Sequence, residues 1–344
     1  MKNKLLAVLA TFGMVASASA VKINNNLSIN GFIDGSYYST DQGADESSKI
    51  GVDEVELNFL VNAGNVSGEL HIDNTQDANL DGSSDDDSSL NIEQVHFTYS
   101  FGNNVSVQVG RFGSALGLER EDPAGLYTYS RAYGNIADAT ISAAELGYNN
   151  SFNIGNVDSN VFEGGRISFA SGDFSASLAL FNQVGADIEN SADNQEDDLD
   201  AEIAISYNGI DNLSVTVGYI NIATADSTTA GDAASEDFDV YTINASYTLN
   251  KLLLAGEYSS AEGDDGDDLS AYLLLADYDV NEKLGFAVRY SEWETTGATS
   301  SDKVTFAPNY AITDSLGAIV EFSTTEADGG NDLDEVAVEL TYTF

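Results

Sequence analysis

The last nine residues, Val336-Ala337-Val338-Glu339-Leu340-Thr341-Tyr342-Thr343-Phe344, put apolar side chains on every second position and end on an aromatic ring. Successive side chains of a strand point to opposite faces, so this run has one greasy face and one polar or small face. Such a strand belongs in a sheet with lipid on one side and water on the other. The pattern recurs along nearly the whole chain. Leu27, Ile29, Ile33 and Tyr37 share a face, as do Val55, Leu57, Phe59 and Val61, and Val95, Phe97 and Tyr99. Leu213, Val215, Val217 and Tyr219 repeat it, then Leu284, Phe286, Val288 and Tyr290, and then Leu316, Val320 and Phe322. A helical period fits none of these runs.

The connections between runs are of two kinds. Short, turn-like ones include Gly102-Asn103-Asn104, Ser171-Gly172-Asp173, Asn250-Lys251 and Thr313-Asp314-Ser315. Long acidic ones run from Asp77 to Ser89, Asp187 to Asp198, Ala223 to Asp237, Ser259 to Asp268 and Thr324 to Asp332. Short turns on one rim and long loops on the other describe an all-β, transmembrane, antiparallel up-and-down barrel. A plain tally of runs gives an odd count, because Ala143 to Phe152 has weak strand character. Termini on one side of the membrane demand an even number. The reading is therefore about sixteen strands, with residues 113–160 as one long excursion. Tyr99, Phe169, Tyr207, Tyr247, Tyr278, Tyr310 and Tyr342 end the strands that run toward the short turns. Tyr37, Tyr219, Tyr258, Tyr290 and Phe322 end the others. Two aromatic belts at the two membrane interfaces account for both sets. Pro308 removes a ladder donor on the lipid-facing parity, so a local bulge is expected there.

Residues 1–20 have the anatomy of a secretory signal: Lys2 and Lys4, the apolar stretch Leu5 to Val15, and Ala18-Ser19-Ala20 at a cleavage position. That leaves residues 21–344 as the barrel. No later stretch is long and uncharged enough for a spanning helix. The chain carries 57 acids against 12 Lys and Arg, a formal net charge of −45 at pH 7. Nucleic acid is excluded as a partner on that ground. With no cysteine there is no disulfide or thiolate metal site.

One segment carries a more specific pattern. Gly110-Arg111-Phe112-Gly113-Ser114-Ala115-Leu116-Gly117-Leu118-Glu119 is followed by Glu121-Asp122-Pro123 and by Tyr127-Thr128-Tyr129-Ser130-Arg131. It resembles the strand-to-loop segment of the OmpL-like group of β-barrel porins, and it is related in this one motif to phosphate-selective porins O and P. The motif covers about twenty residues, and the chain lacks the lysine-rich lumen of the phosphate-selective type. The resemblance implies a Gram-negative outer-membrane porin, passive diffusion of small hydrophilic solutes, and a homotrimer. It also implies that the outer-membrane assembly machinery reads the terminal strand and Phe344, with membrane lipid and lipopolysaccharide as surroundings.

A sixteen-stranded barrel is wide enough to hold water, so what narrows and charges its lumen decides what passes. After the signal the chain holds five arginines: Arg111, Arg120, Arg131, Arg166 and Arg289. Four lie in or beside the long excursion, interleaved with Glu119, Glu121 and Asp122. These eight residues are the candidate constriction, with the loop arginines expected to face acids on the wall. The bland alternative is that Arg120 and Arg131 only tie the loop down. Parity points Asp34, Glu54, Glu56, Glu69, Asp73, Asp200, Glu202, Glu257, Asp277, Glu321 and Glu339 inward, which implies a mild preference for cations. Arg111 shares the outward parity of Val105, Val107 and Val109.

His71 and His96 fall on adjacent inward positions and would pair across their hairpin if the loop between them were centred near Ser83. They could form a metal or pH-sensitive patch, half of a catalytic pair, or ordinary lumen wall. No Gly-x-Ser-x-Gly elbow accompanies them, so no enzyme activity, cofactor or dedicated metal site is expected. Acidic loops such as Glu262-Gly263-Asp264-Asp265-Gly266-Asp267-Asp268 could collect divalent cations, though no EF-hand pattern is present. An adhesive or structural barrel with cation-binding loops is the alternative function, and a barrel hydrolase the remote one.

Overall fold

The computed structural model describes residues 20–43, 45–75, 91–119, 122–133, 161–182, 199–223, 237–263, 268–295, 300–328 and 330–344. A two-residue strand β1 (Val21–Lys22) precedes the wall of the barrel. One quarter of the wall comprises β2 (Leu27–Gln42), β3 (Asp45–Ala63), β4 (Val66–Thr75) and β5 (Asn91–Ser100). Next come β6 (Val105–Gly113), β7 (Val161–Ser171), β8 (Phe174–Phe181) and β9 (Asp200–Tyr207). β10 (Leu213–Ala223), β11 (Asp237–Leu249), β12 (Leu252–Gly263) and β13 (Asp268–Asp279) continue the series. β14 (Leu284–Thr295), β15 (Ser301–Ala311), β16 (Leu316–Ala327) and β17 (Leu333–Thr343) complete it.

Each long strand pairs antiparallel with its neighbour, and β17 returns to pair with β2, so sixteen strands close into a barrel. Closure follows from the solvent. Lipid offers a backbone N–H no partner, so a spanning sheet must satisfy every edge. The seam is in register from Thr343↔Phe32 to Asp334↔Asp41. Phe344 extends it, donating its N–H to the Gly31 carbonyl at 3.1 Å and accepting the Gly31 N–H at 3.2 Å.

The alternation works as the sequence implies. Ile33, Tyr37, Val61, Phe97, Ile203, Val217, Leu254, Val288, Phe306, Phe322 and Leu340 stand on the outside. Tyr99, Phe169, Tyr247, Tyr278, Tyr310 and Tyr342 lie outward near one rim, and Tyr37, Tyr258 and Phe322 toward the other. β6 ends at Gly113 and β7 begins at Val161, as the even count requires. Ala143 to Phe152 lies outside the described residues, as do the loops from Asp77 to Ser89 and Asp187 to Asp198.

Some expectations shift. Ser259 to Gly263 and Thr324 to Ala327, read as loop, continue β12 and β16. β2 and β3 rise together as a long hairpin arm, paired out to Gln42↔Asp45. Pro308 makes no bulge: pairing with β16 lapses only at Ala307 and Pro308, and Phe306↔Phe322 and Asn309↔Ile319 keep one register. The missing N–H removes a rung without displacing the strand.

Two real bulges lie elsewhere. Against β2, β3 slips at Asp34/Gly35, so that Asp53 falls between Val52 and Glu54. Against β4, β5 slips at His71/Ile72, leaving Glu93 as the extra residue between Ile92 and Gln94. Val52 and Ile92 remain on the outside, while Glu93 is buried with 2% exposure. An extra residue reverses side-chain parity. Without the slip, Glu93 would share the outward face of Val95 and Phe97.

The seam leaves no room at Gly31. A Cβ there would stand 2.2 Å from the Glu56 carbonyl oxygen and 3.0 Å from the Phe344 ring. Gly31→Val should destabilise the closed barrel by about 1–3 kcal/mol or more, read as a lower fraction of the compact, heat-modifiable species on electrophoresis of refolded protein.

Candidate functional site in the barrel lumen

Beyond Gly113 the chain turns into the barrel and packs across its inner wall. Leu116 is fully buried in a space that only glycine leaves open, since a Cβ on Gly218 would meet its side chain at 1.9 Å. Phe112, Phe162 and Phe181 brace the entry. Phe162 stacks on Phe181 at 4.0 Å and meets Phe112 edge-on at 6.4 Å, and the Arg166 guanidinium lies 4.4 Å over the Phe112 ring.

The attachments are made by charge. Glu202, on β9, accepts from Ser114 Oγ (2.5 Å), from the Ala115 N–H (3.1 Å) and from Arg166 Nη2 (2.9 Å). Arg166 also donates to the Gly113 carbonyl at 2.8 Å. Glu257, on β12, accepts the Leu118 N–H at 2.6 Å. Glu321, on β16, takes Ser130 Oγ (2.5 Å) and the Ser130 N–H (3.1 Å).

The hub is Arg289 on β14, 1% exposed. Its guanidinium meets Glu119 Oε1 at 2.5 Å, Thr128 Oγ1 at 2.7 Å, and the carbonyls of Ser130 and Arg131 at 2.8 and 2.7 Å. Glu119 in turn accepts the Ala132 N–H at 2.9 Å. Ser291 Oγ donates to the Ala132 carbonyl, and Tyr133 stands edge-on to Trp293. On the far side Tyr129 reaches β2, sharing a 3.1 Å hydrogen bond with Ser36 and packing against Tyr38. Desolvation raises the Tyr129 and Tyr133 phenols above their ordinary value, so both remain neutral.

Wall arginines Arg166 and Arg289 grip the loop, and wall acids Glu202, Glu257 and Glu321 accept its N–H and hydroxyl groups. Arg131 enters the network through its carbonyl. Arg111 stands apart from the cluster: it pairs with Val95 on the outward parity, its Nε donating to the Glu93 carbonyl at 2.7 Å. Arg120 and Glu121 lie outside the described residues. Asp122 opens a short 3-10 turn (Pro123–Gly125) without capping it.

The acids assigned to the lumen face inward. Asp34, Glu56, Asp73, Asp200, Glu202, Glu257, Asp277, Glu321 and Glu339 are all buried, while Glu54 and Glu69 are partly so. The histidines are not directly opposite each other: β4 and β5 pair in a register two residues off the one that would set His71 against His96. His71 stands across from Gln94, and His96 across from Glu69. His71 Nε2 lies 3.3 Å from Glu69 Oε2, and its Nδ1 faces Glu56 and Glu93; His96 Nδ1 turns to Gln108 at 3.2 Å. The inward phenylalanines and the Glu93 carboxylate were not singled out from sequence. The aromatics were legible from their parity with Gln108 and Arg166. Glu93 was legible only from the odd spacing of Ile92 and Val95.

A lumen wall of this size with a loop tied across it can be compared with known proteins. Residues 5–330 match the family described as Gram-negative porin. The chain belongs to that family. The fold of this porin is similar to the anion-selective porin from Comamonas acidovorans, at 15% identity and a TM-score of 0.66 over 92% of this chain and 99% of that one. OmpF from Salmonella typhi, solved with daunomycin, matches at 14% identity and a TM-score of 0.64, over 94% and 100% of the two chains. The channel DcaP of Acinetobacter baumannii matches at 13% identity and a TM-score of 0.62, over 94% and 99%. No curated protein matches the chain. Family and fold place the porin in the outer membrane and imply a channel rather than an enzyme.

Removing the Arg289 guanidinium would strand the buried Glu119 carboxylate and free the loop carbonyls. Arg289→Ala should cost about 3–5 kcal/mol, seen as earlier thermal unfolding in detergent, and should raise single-channel conductance and current noise as the loop detaches.

Proposed function

We propose that this porin forms a water-filled pore for passive diffusion of small hydrophilic solutes and ions, with a net preference for cations. The observation that carries the preference is the charge balance of the described lumen. Arg166 is matched with Glu202, Arg289 with Glu119, and Lys303 Nζ with Glu335 at 2.7 Å. Asp34, Glu54, Glu56, Glu93, Asp277 and Glu339 add negative charge beyond those pairs. In a narrow, low-dielectric passage that surplus raises the local cation concentration and opposes anions. The likeness to an anion-selective porin concerns the barrel, not the charges lining it.

The same reading includes export by a signal cleaved after Ala20, delivery of the terminal strand with Phe344 to the assembly machinery, and a homotrimer surrounded by lipid and lipopolysaccharide. These follow from the leader's composition and from the family. The long acidic connections would add a diffuse attraction for divalent cations.

Current through purified protein in a planar bilayer under a salt gradient tests the proposal. Discrete steps with a reversal potential of cation-selective sign are expected. Replacing Asp34 with Asn and Glu339 with Gln together should move the cation-to-anion permeability ratio toward unity. An anion-selective sign in the unaltered protein would overturn the preference, and an absence of steps from folded barrels would overturn the open pore.

A further inference from the structure

Glu202, Glu257 and Glu321 answer to a base or to loop N–H groups. The wall formed by β3, β4 and β5 is different. Glu56, Glu93 and His71 converge there, with ligand atoms all within 4.8 Å of one another. Glu56 is completely buried, and neither of its carboxylate oxygens is hydrogen-bonded. The same holds for Glu93 Oε2 and His71 Nδ1. From the loop, Asp122 brings its carboxylate within 4.8 Å of Glu56 and Glu54. No arginine or lysine is paired with Glu56 or Glu93 among the described residues.

The orientation of His71 sharpens the problem. Its Nε2 faces Glu69 Oε2 at 3.3 Å, and its Nδ1 faces Glu56 Oε1 at 3.2 Å and Glu93 Oε2 at 3.9 Å. Buried carboxylates brought this close are stabilised by a positive charge among them. A histidine that hands one N–H to a carboxylate and offers the other nitrogen to a cation is the usual arrangement around a bound metal.

We propose that Glu56, His71 and Glu93 bind one divalent transition-metal ion of the Zn2+ class, with Asp122 of the loop supplying a further oxygen. A nitrogen donor among carboxylates suits Zn2+ better than Ca2+ or Mg2+, which take oxygen alone. Metal–ligand bonds of about 2.0–2.2 Å in a tetrahedron place neighbouring ligand atoms roughly 3.3 Å apart. The Glu56–His71 separation of 3.2 Å is already close to that value, and Glu93, 3.9 Å from His71, would have to move closer. The bulge at Glu93 gains a purpose, since it alone turns that carboxylate inward. Desolvation, then the charges of Glu56 and Glu93, push the Asp122 carboxyl well above its ordinary range, and a bound cation would relieve the same repulsion. The ion would join loop to wall on the side opposite Arg289.

The test is calorimetric titration of the chelator-stripped, folded porin with Zn2+ alone, with Ca2+ and Mg2+ in parallel. One Zn2+ per chain is expected, bound more tightly than either alkaline-earth ion. His71→Asn and Glu93→Gln should each weaken it by roughly tenfold or more, while His96→Asn should leave it unchanged. The visible spectrum of the Co2+ complex of the unaltered protein needs no variant, and intense tetrahedral-type bands are expected. Zn2+ affinity unaltered in His71→Asn, several ions bound with no preference over Ca2+, or a weak octahedral Co2+ spectrum would each overturn the proposal.

Discussion

Lipid cannot hydrogen-bond to a peptide group, and everything else in this porin follows from how the chain meets that condition. An unpaired N–H or C=O in hydrocarbon costs several kcal/mol, so a sheet is tolerated only when it closes on itself. The seam between β17 and β2 performs the closure, and its last rung is made by Phe344 with Gly31. Closure then separates two solvents. Outside, apolar side chains stand on every second residue. Inside, the alternate positions are free to carry charges that lipid would reject, and many of them carry acids.

Those acids create the next difficulty. Sixteen strands enclose a space that cannot be filled by wall side chains, and a ring of carboxylates alone would repel itself. The loop beyond Gly113 answers both. It brings N–H and hydroxyl groups to Glu202, Glu257 and Glu321, and it brings Glu119 and several carbonyls to Arg289. Neutral donors of the loop meet Glu257 and Glu321 without cancelling charge, and so fix the loop to the wall.

The barrel was legible because its signal is local and repeated. Period-two alternation from Leu27 to Phe344, short turns at residues such as Asn104, Asn212 and Asn250, and the requirement for an even count together gave the wall and located the excursion. Parity also placed the lumen acids. It failed where the backbone breaks parity. Asp53 and Glu93 sit in bulges whose only trace is a pair of apolar residues three apart, Val52 with Val55 and Ile92 with Val95. The partners of the loop were not legible either, because Arg289 meets Glu119 across 170 positions. Charge interleaving singled out the segment, but which wall residues meet it could not be read from spacing alone. The histidine pairing missed for a simpler reason: the hairpin is centred a residue short of the position near Ser83 on which the pairing depended.

The two sides of the lumen therefore solve one electrostatic problem in different ways. On β14 the cation is built into the wall: Arg289 cannot lose its charge, and its planar fork suits several oxygens at once. On β3 to β5 no such residue is present, and the bulge adds a carboxylate to a place already crowded with them. A sequence that only needed to hold the loop could have left Glu93 in regular register, facing away from Glu56. Turning it inward opposes both strand pairing and Coulomb repulsion. A positive charge among the carboxylates favours that arrangement, and His71, with Nε2 toward Glu69, turns Nδ1 to the place where the proposed ion would sit.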